Sequence, residues 1–138
     1  VPEHRRTEAM AKAASPVWKL YTAGSVGSQA LTGIPVVSRL RAARPSARLW
    51  PFETGWTPLA RPGLDGVDVV IAEIYPSMLK PAPRTGEVKD LTQVRAIAEH
   101  FAALDERGAL GAAFGPNKGA SEADVAAVTA EEGWILGV

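Results

Sequence analysis

One carboxylate stands at the end of the most apolar stretch of the chain. Glu73 lies in the segment AEIYPS, residues 72–77, directly after a β-branched run at 69–71. Open α/β sheets bind their ligands beyond the carboxyl ends of such strands. An ionised carboxylate buried there without a partner is costly, so Glu73 needs a metal ion, a basic side chain or several hydrogen-bond donors. A metal ion would make Glu73 a catalytic residue, whereas a salt bridge would make it structural. The candidates for that salt bridge are Arg5, Arg6 and Lys89.

A second carboxylate, Asp124, opens a predicted helix of small residues that could pack closely on a sheet. Mg²⁺ and Mn²⁺ prefer hard oxygen ligands, so Asp124 could share a divalent cation with Glu73. The alternative is ordinary first-turn electrostatics, which stabilises a helix by some tenths of a kcal/mol. Ser121 precedes the helix as a predicted N-cap, with Asp124 three residues on.

A loop of small residues, GSVGS at 24–28, precedes another predicted helix. The backbone N–H groups of Gly24, Ser25, Gly27 and Ser28, together with the helix N-terminus, could hold a phosphate or nucleotide. Arg5 or Arg6 could assist. The loop matches neither the P-loop pattern nor the dinucleotide fingerprint. In the alternative interpretation, Ser25 or Ser28 is a plain N-cap.

Alternating helices and strands must position these residues, which predicts an α/β fold with a small, mostly parallel sheet flanked by helices. A sheet of three or four strands leaves the apolar strand at 67–75 short of neighbours. We therefore expect a second chain, or a missing N-terminal half of the same protein, to complete it. The predicted helices span residues 3–14, 28–44, 90–107 and 122–132, and the predicted strands span 17–22, 48–53, 67–75 and 134–138. The helix at 90–107 is predicted from the three-four spacing of its apolar residues, with Asp90 as its N-cap. The four tryptophans are expected to be core and surface anchors.

Composition narrows the classes of function. The chain has 138 residues, 46% of them hydrophobic, and 15 basic residues balance 15 acidic ones. This balance gives no overall bias toward nucleic acid, although a local basic stripe could still engage phosphates. The chain has no cysteine, so any metal would need oxygen or histidine ligands, and a cytoplasmic location is expected. No apolar stretch is long enough to cross a bilayer. Because the first residue is Val1, we expect the chain to begin partway through a gene product.

Five segments together resemble a bacterial family of uncharacterised proteins, the domain of unknown function 429. These segments are WKLYTAGSVGSQ at 18–29, WPFE at 50–53, EIYPS at 73–77, EVKD at 87–90 and EEGWILG at 131–137. The resemblance implies a three-layer ribonuclease H-like fold and a nuclease that uses Mg²⁺ or Mn²⁺ to cleave phosphodiesters. By the same resemblance, Glu73 matches the acid at the family's strand end, and Asp124 matches the acid that opens its last helix.

This chain departs from the family pattern in two ways. The β-hairpin half that carries the family's first-strand Asp is not present, and the doubled acid before the last helix is reduced, with Glu122 at a shifted spacing. Residues 1–138 then form either a single domain or the C-terminal half of one, and we expect that half to be inactive alone. The alternatives are a non-catalytic module that binds nucleotide or phosphate, and a structural or interaction domain.

Overall fold

The computed structural model describes residues 2–11, 14–22, 24–60 and 62–138. Within these ranges the chain forms four α-helices and a two-stranded parallel sheet. None of these helices is long and apolar enough to span a membrane. The helices are α1 (Arg6–Met10), α2 (Gly27–Ala43), α3 (Lys89–Glu106) and α4 (Glu122–Ala127), and the strands are β1 (Ala47–Leu49) and β2 (Val69–Ile71).

The sheet is parallel, as predicted, but smaller than predicted. Strand β1 pairs with β2 in the register Ala47 to Val69, and one further parallel bridge joins Glu73 to Ile135. The predicted strand at 134–138 is thus reduced to this bridge, with Leu136 N donating to Glu73 O at 2.9 Å. Residues 17–22 form turns rather than the predicted strand. The mixed α/β character is confirmed, whereas the three-layer ribonuclease H-like arrangement stays a prediction.

Strand β1 ends earlier than the predicted strand 48–53. Trp50 N still donates to Ile71 O at 2.9 Å, but Pro51 follows and has no N–H to continue the ladder.

Near the beginning of the chain, α1 is shorter than the predicted helix 3–14. Lys12 and Ala13, which belong to that prediction, lie outside the described residues.

Helix α2 runs unbroken through Gly33 and Pro35, so neither residue divides it. Several of its apolar side chains are exposed, including Leu31 and Ile34, which is 66% exposed. Helix α3 shows the predicted three-four spacing, yet it buries only part of that face. Its buried centre is Ile97, while Leu91 and Val94 near its beginning are exposed.

The core lies between the sheet and the C-terminal part of the chain. The ring centroids of Trp56 and Trp134 are 4.4 Å apart, and Trp50 meets Phe114 edge to face at 5.4 Å. Val128 is fully buried beside them. Three of the four tryptophans are therefore core anchors, as the sequence suggested, and they fix residues 128–136 against β2.

Candidate functional site

Glu73 lies two residues beyond β2, where the sequence placed it, and its partner is Arg5. Arg5 Nη2 donates to Glu73 Oε1 at 2.8 Å, and Arg5 Nη1 donates to Glu73 Oε2 at 2.9 Å. This is the bidentate geometry that makes arginine–carboxylate pairs strong. The Glu73 side chain keeps 44% of its surface exposed. Of the three basic residues considered from sequence, the structure selects Arg5.

Arg5 joins α1 to two other parts of the chain, at Glu73 and Glu132. Its Nε donates to Glu8 Oε1 at 2.8 Å, and its Nη1 also donates to the backbone oxygen of Glu132 at 3.0 Å. Burial alone lowers the pKa of Arg5, but hydrogen bonds and charges from Glu73 and Glu8 outweigh burial and raise that pKa. The Glu8 side chain is only 2% exposed, and it also accepts from Val17 N at 3.0 Å. Arg5 and Glu8 thus form a buried pair with a half-exposed third member, Glu73.

Asp124 occupies a similar environment around the neighbouring arginine. Arg6 Nε donates to Asp124 Oδ1 at 2.9 Å, and Arg6 Nη1 also contacts the Glu132 carboxylate. The other oxygen of Asp124 accepts from the Ser121 hydroxyl at 2.7 Å and from Ser121 N at 2.9 Å. The Ser121 hydroxyl, the Ser121 backbone and Arg6 together lower the pKa of Asp124 to about 2. The predicted cap at Ser121 is confirmed.

The two predicted acids therefore belong to one connected set of charges, which we call the arginine cluster. Its members are Arg5, Arg6, Glu8, Glu73, Asp124 and Glu132. Four carboxylates face two guanidinium groups, so two negative charges remain uncompensated within the cluster. The sequence identified Glu73 and Asp124 but missed Glu8, which stands in no motif, and Glu132, which the sequence offered only as part of the segment at 131–137.

The arrangement in this structure does not fit a resident divalent cation. Both oxygens of Glu73 and both oxygens of Asp124 already accept hydrogen bonds. A cation at Glu73 or Asp124 would have to displace the guanidinium groups that bind these oxygens. Across the described parts of the chain, no group of three or more His, Cys, Asp or Glu side chains could hold a metal ion. Metal ligation by Glu73 and Asp124 stays a prediction.

Two backbone N–H groups of the small-residue loop at 24–28 are hydrogen-bonded to nearby backbone oxygens. Ser25 N donates to Thr22 O at 3.1 Å, and Gly27 N donates to Lys19 O at 3.0 Å. A Cβ on Gly27 would lie 2.9 Å from Lys19 O, so glycine is needed here for close backbone approach. The N-cap of α2 is Val26, without a side-chain bond, so neither Ser25 nor Ser28 caps the helix.

Four residues of this loop had been predicted to bind phosphate: Gly24, Ser25, Gly27 and Ser28. Two of their N–H groups are already engaged, and Arg5 and Arg6, the predicted assistants, are paired with carboxylates. Phosphate binding by this loop stays a prediction that the described geometry does little to favour.

The sequence did not predict a cleft of about 830 Å³ that opens two residues beyond Glu73. Its walls come from Tyr75 and Ser77 after β2, from the beginning of α3, and from Gly137 after the bridged residue Ile135. Met10 of α1 closes another side. The one available signal was the proline-rich connection at 80–87, which leads into α3 and would have marked an open loop at a strand end.

Hydrogen bonds from polar side chains shape the cleft wall at the beginning of α3. Gln93 Nε2 donates to Ser77 Oγ at 3.1 Å, which ties α3 to the residues after β2. Glu87 accepts from Arg95 through both oxygens, at 2.7 and 2.8 Å, and from the Thr92 hydroxyl at 3.1 Å. Arg95 is the main reason that the pKa of Glu87 is lowered to about 2.

Helix α3 begins at Lys89 with Val88 as N-cap, so Asp90 is a first-turn residue rather than the expected cap.

Comparison with known proteins assigns no family to the chain. No protein-family model, curated protein or solved structure matches it. The resemblance to the domain of unknown function 429 therefore stays a prediction.

Proposed function

We propose that this chain is a ligand-binding domain that takes a small organic molecule in the cleft beyond β2. The observation that carries the proposal is the position and size of the cleft. Its volume of about 830 Å³ falls within the usual range for small-molecule sites, and it opens where the chain continues past β2 and past the bridged residue Ile135. Ligands of open parallel sheets bind at this edge.

The arginine cluster has a structural part in this proposal. Arg5 is the N-cap of α1, and Met10 at the other end of α1 lines the cleft. By binding Glu73 and the backbone of Glu132, Arg5 holds α1 against both segments that lead into the cleft. Thr7 strengthens this contact, because its hydroxyl accepts from Ile135 N at 3.0 Å. The predicted catalytic acid Glu73 then serves as a positioning residue for the wall of a binding site.

The proposal can be tested with three probes of equal chain length: octanoate, octanol and octylammonium. Each is titrated into ¹⁵N-labelled protein while amide resonances are followed. We expect at least one probe to shift the amides of Ser77, Gln93 and Gly137 in a saturable way. Ser77→Trp should weaken that binding by filling the cleft, and Ser38→Trp on exposed α2 is the matched control. Shifts confined to α2, or equal effects of the two tryptophans, would overturn the proposal.

A second candidate function rests on the charge excess of the arginine cluster. With two uncompensated negative charges, and with Glu73 and Asp124 44% and 38% exposed, these acids remain accessible to an approaching cation. We propose as this second candidate a metal-dependent phosphodiesterase or nuclease of ribonuclease H-like fold. Glu73 and Asp124 would supply two carboxylate ligands for the metal ion, and a further part of a longer protein or a second chain would complete the catalytic set.

Thermal unfolding with and without Mn²⁺ or Mg²⁺ tests this second candidate. We expect the metal to raise the melting temperature of the wild-type chain and of Glu106→Gln, a control on α3. Glu73→Gln should lose the metal-dependent rise measured against its own metal-free melting temperature. If neither metal shifts the wild type, or if both variants respond alike, Glu73 is not a ligand. A nuclease would in addition cleave a nucleic-acid substrate.

A further inference from the structure

The charges around the cleft indicate what kind of molecule it takes. Lys80 and Lys89 both line it, and neither forms an ion pair with any carboxylate that the structure describes. Both lysines are exposed, so their ammonium groups are free to meet a ligand at the mouth. A pair of unpaired cations on one opening favours a negatively charged ligand.

The acidic side chain of the cleft wall is already paired. Glu87 is the one acidic side chain among the described residues that line the cleft. Both of its oxygens are bound by Arg95, and it also accepts from Arg84 N at 2.9 Å. Its charge is therefore compensated from within the wall. Asp90 lies in the first turn of α3 but is not among the lining residues.

The beginning of α3 adds to the positive side. The first N–H groups of a helix have no intrahelical acceptor and carry the positive end of the helix dipole. Helix α3 has 18 residues, and Lys89 in its first turn lines the cleft. The Ser77 hydroxyl accepts from Gln93, which leaves its own proton free to donate to an anionic group.

The rest of the lining is mainly apolar. Met10, Met78, Leu79, Pro81 and Pro83 contribute side chains without charge. Methionine is flexible and adapts to ligands of irregular shape. A ligand that complements the whole cleft combines an apolar body with one anionic head.

Building on the proposed function, we infer that the cleft binds a small organic anion, a carboxylate or phosphate monoester with an apolar body. Lys80 and Lys89 meet the anionic head, and the methionines and prolines contact the body. The two head groups share this chemistry, so the experiment includes both.

The test measures dissociation constants for octanoate, octyl phosphate, octanol and octylammonium by the amide titration. We expect both anions to bind tighter than octanol, and octylammonium to bind weakest. The double variant Lys80→Ala/Lys89→Ala should weaken anion binding about fivefold, the factor that two exposed charge contacts of a few tenths of a kcal/mol supply together. Octanol binding should not change. Lys19→Ala/Lys118→Ala, which removes two exposed lysines outside the cleft lining, is the matched control.

The outcomes separate this inference from the proposed function. If octanol binds in the cleft as tightly as the anions, or if the lysine variant leaves anion binding unchanged, the ligand is not selected by charge, although the cleft remains a binding site. Tightest binding of octylammonium would also overturn the inference. If no probe shifts Ser77, Gln93 or Gly137, the proposed function fails and the inference with it. A preference between octanoate and octyl phosphate identifies which head group the lysines favour.

Discussion

Removal of Arg5 should destabilise the chain far more than removal of its half-exposed partner Glu73. In Arg5→Ala, the Glu8 carboxylate stays 2% exposed in its present surroundings and loses its guanidinium partner. Removing one member of a buried ion pair costs about 3–5 kcal/mol of unfolding free energy. Glu8 still accepts from the backbone of residues 5 and 17, so we expect the lower end of that range, about 3 kcal/mol.

Glu73→Ala provides the contrast within the same cluster. Glu73 is 44% exposed, so water can replace part of what Arg5 loses, and Arg5 keeps its bonds to Glu8 and Glu132. Exposed and half-exposed ion pairs contribute about 0–1 kcal/mol, and we expect a loss in that range. Both variants remove one side of the same bidentate contact, but only Arg5→Ala also removes the partner of the buried Glu8 carboxylate.

Urea denaturation followed by tryptophan fluorescence measures both losses, because buried Trp56 and Trp134 report unfolding. If Arg5→Ala fails to fold, the cost of the unpaired Glu8 carboxylate can be measured instead by comparing Arg5→Met with Arg5→Met/Glu8→Gln. The double variant should be the more stable of these two, because it leaves no buried charge without a partner. Equal losses in Arg5→Ala and Glu73→Ala, or a double variant less stable than Arg5→Met, would refute the reasoning.

Three further predictions concern glycines and acid stability. Gly111→Ala should cost more than about 1 kcal/mol, since its Cβ would clash with the backbone oxygen of Leu59, and urea titration measures the loss. Gly33→Ala, inside α2 with open space around it, should instead stabilise by about 0.5–1 kcal/mol in the same assay. Glu87, whose folded pKa is about 2, adds stability at neutral pH that is lost as pH falls from about 5 toward 2. Arg95→Ala should therefore lose less stability than wild type between pH 6 and pH 3, and an equal loss would contradict this assignment.

Local sequence signals predicted the elements whose formation depends on neighbouring residues. The three-four spacing around Ile97 predicted α3, the β-branched run at 69–71 predicted β2, and Ser121 predicted the start of α4. Two of the predictions that were wrong concern strands. The strand at 17–22 did not form and the one at 134–138 shrank to a bridge, because strand formation requires a hydrogen-bonding neighbour that lies far away in sequence.

The sequence by itself determined that Glu73 ends an apolar strand and needs a partner, because the cost of an unpaired carboxylate is a property of the residue and its immediate neighbours. Only the tertiary structure decided that the partner is Arg5, 68 residues away, rather than Arg6 or Lys89. The cleft, too, is a product of the tertiary structure and not of local sequence. Its walls come from α1, the residues after β2, the beginning of α3 and Gly137, and a cavity among such distant segments exists only once packing has fixed their separations.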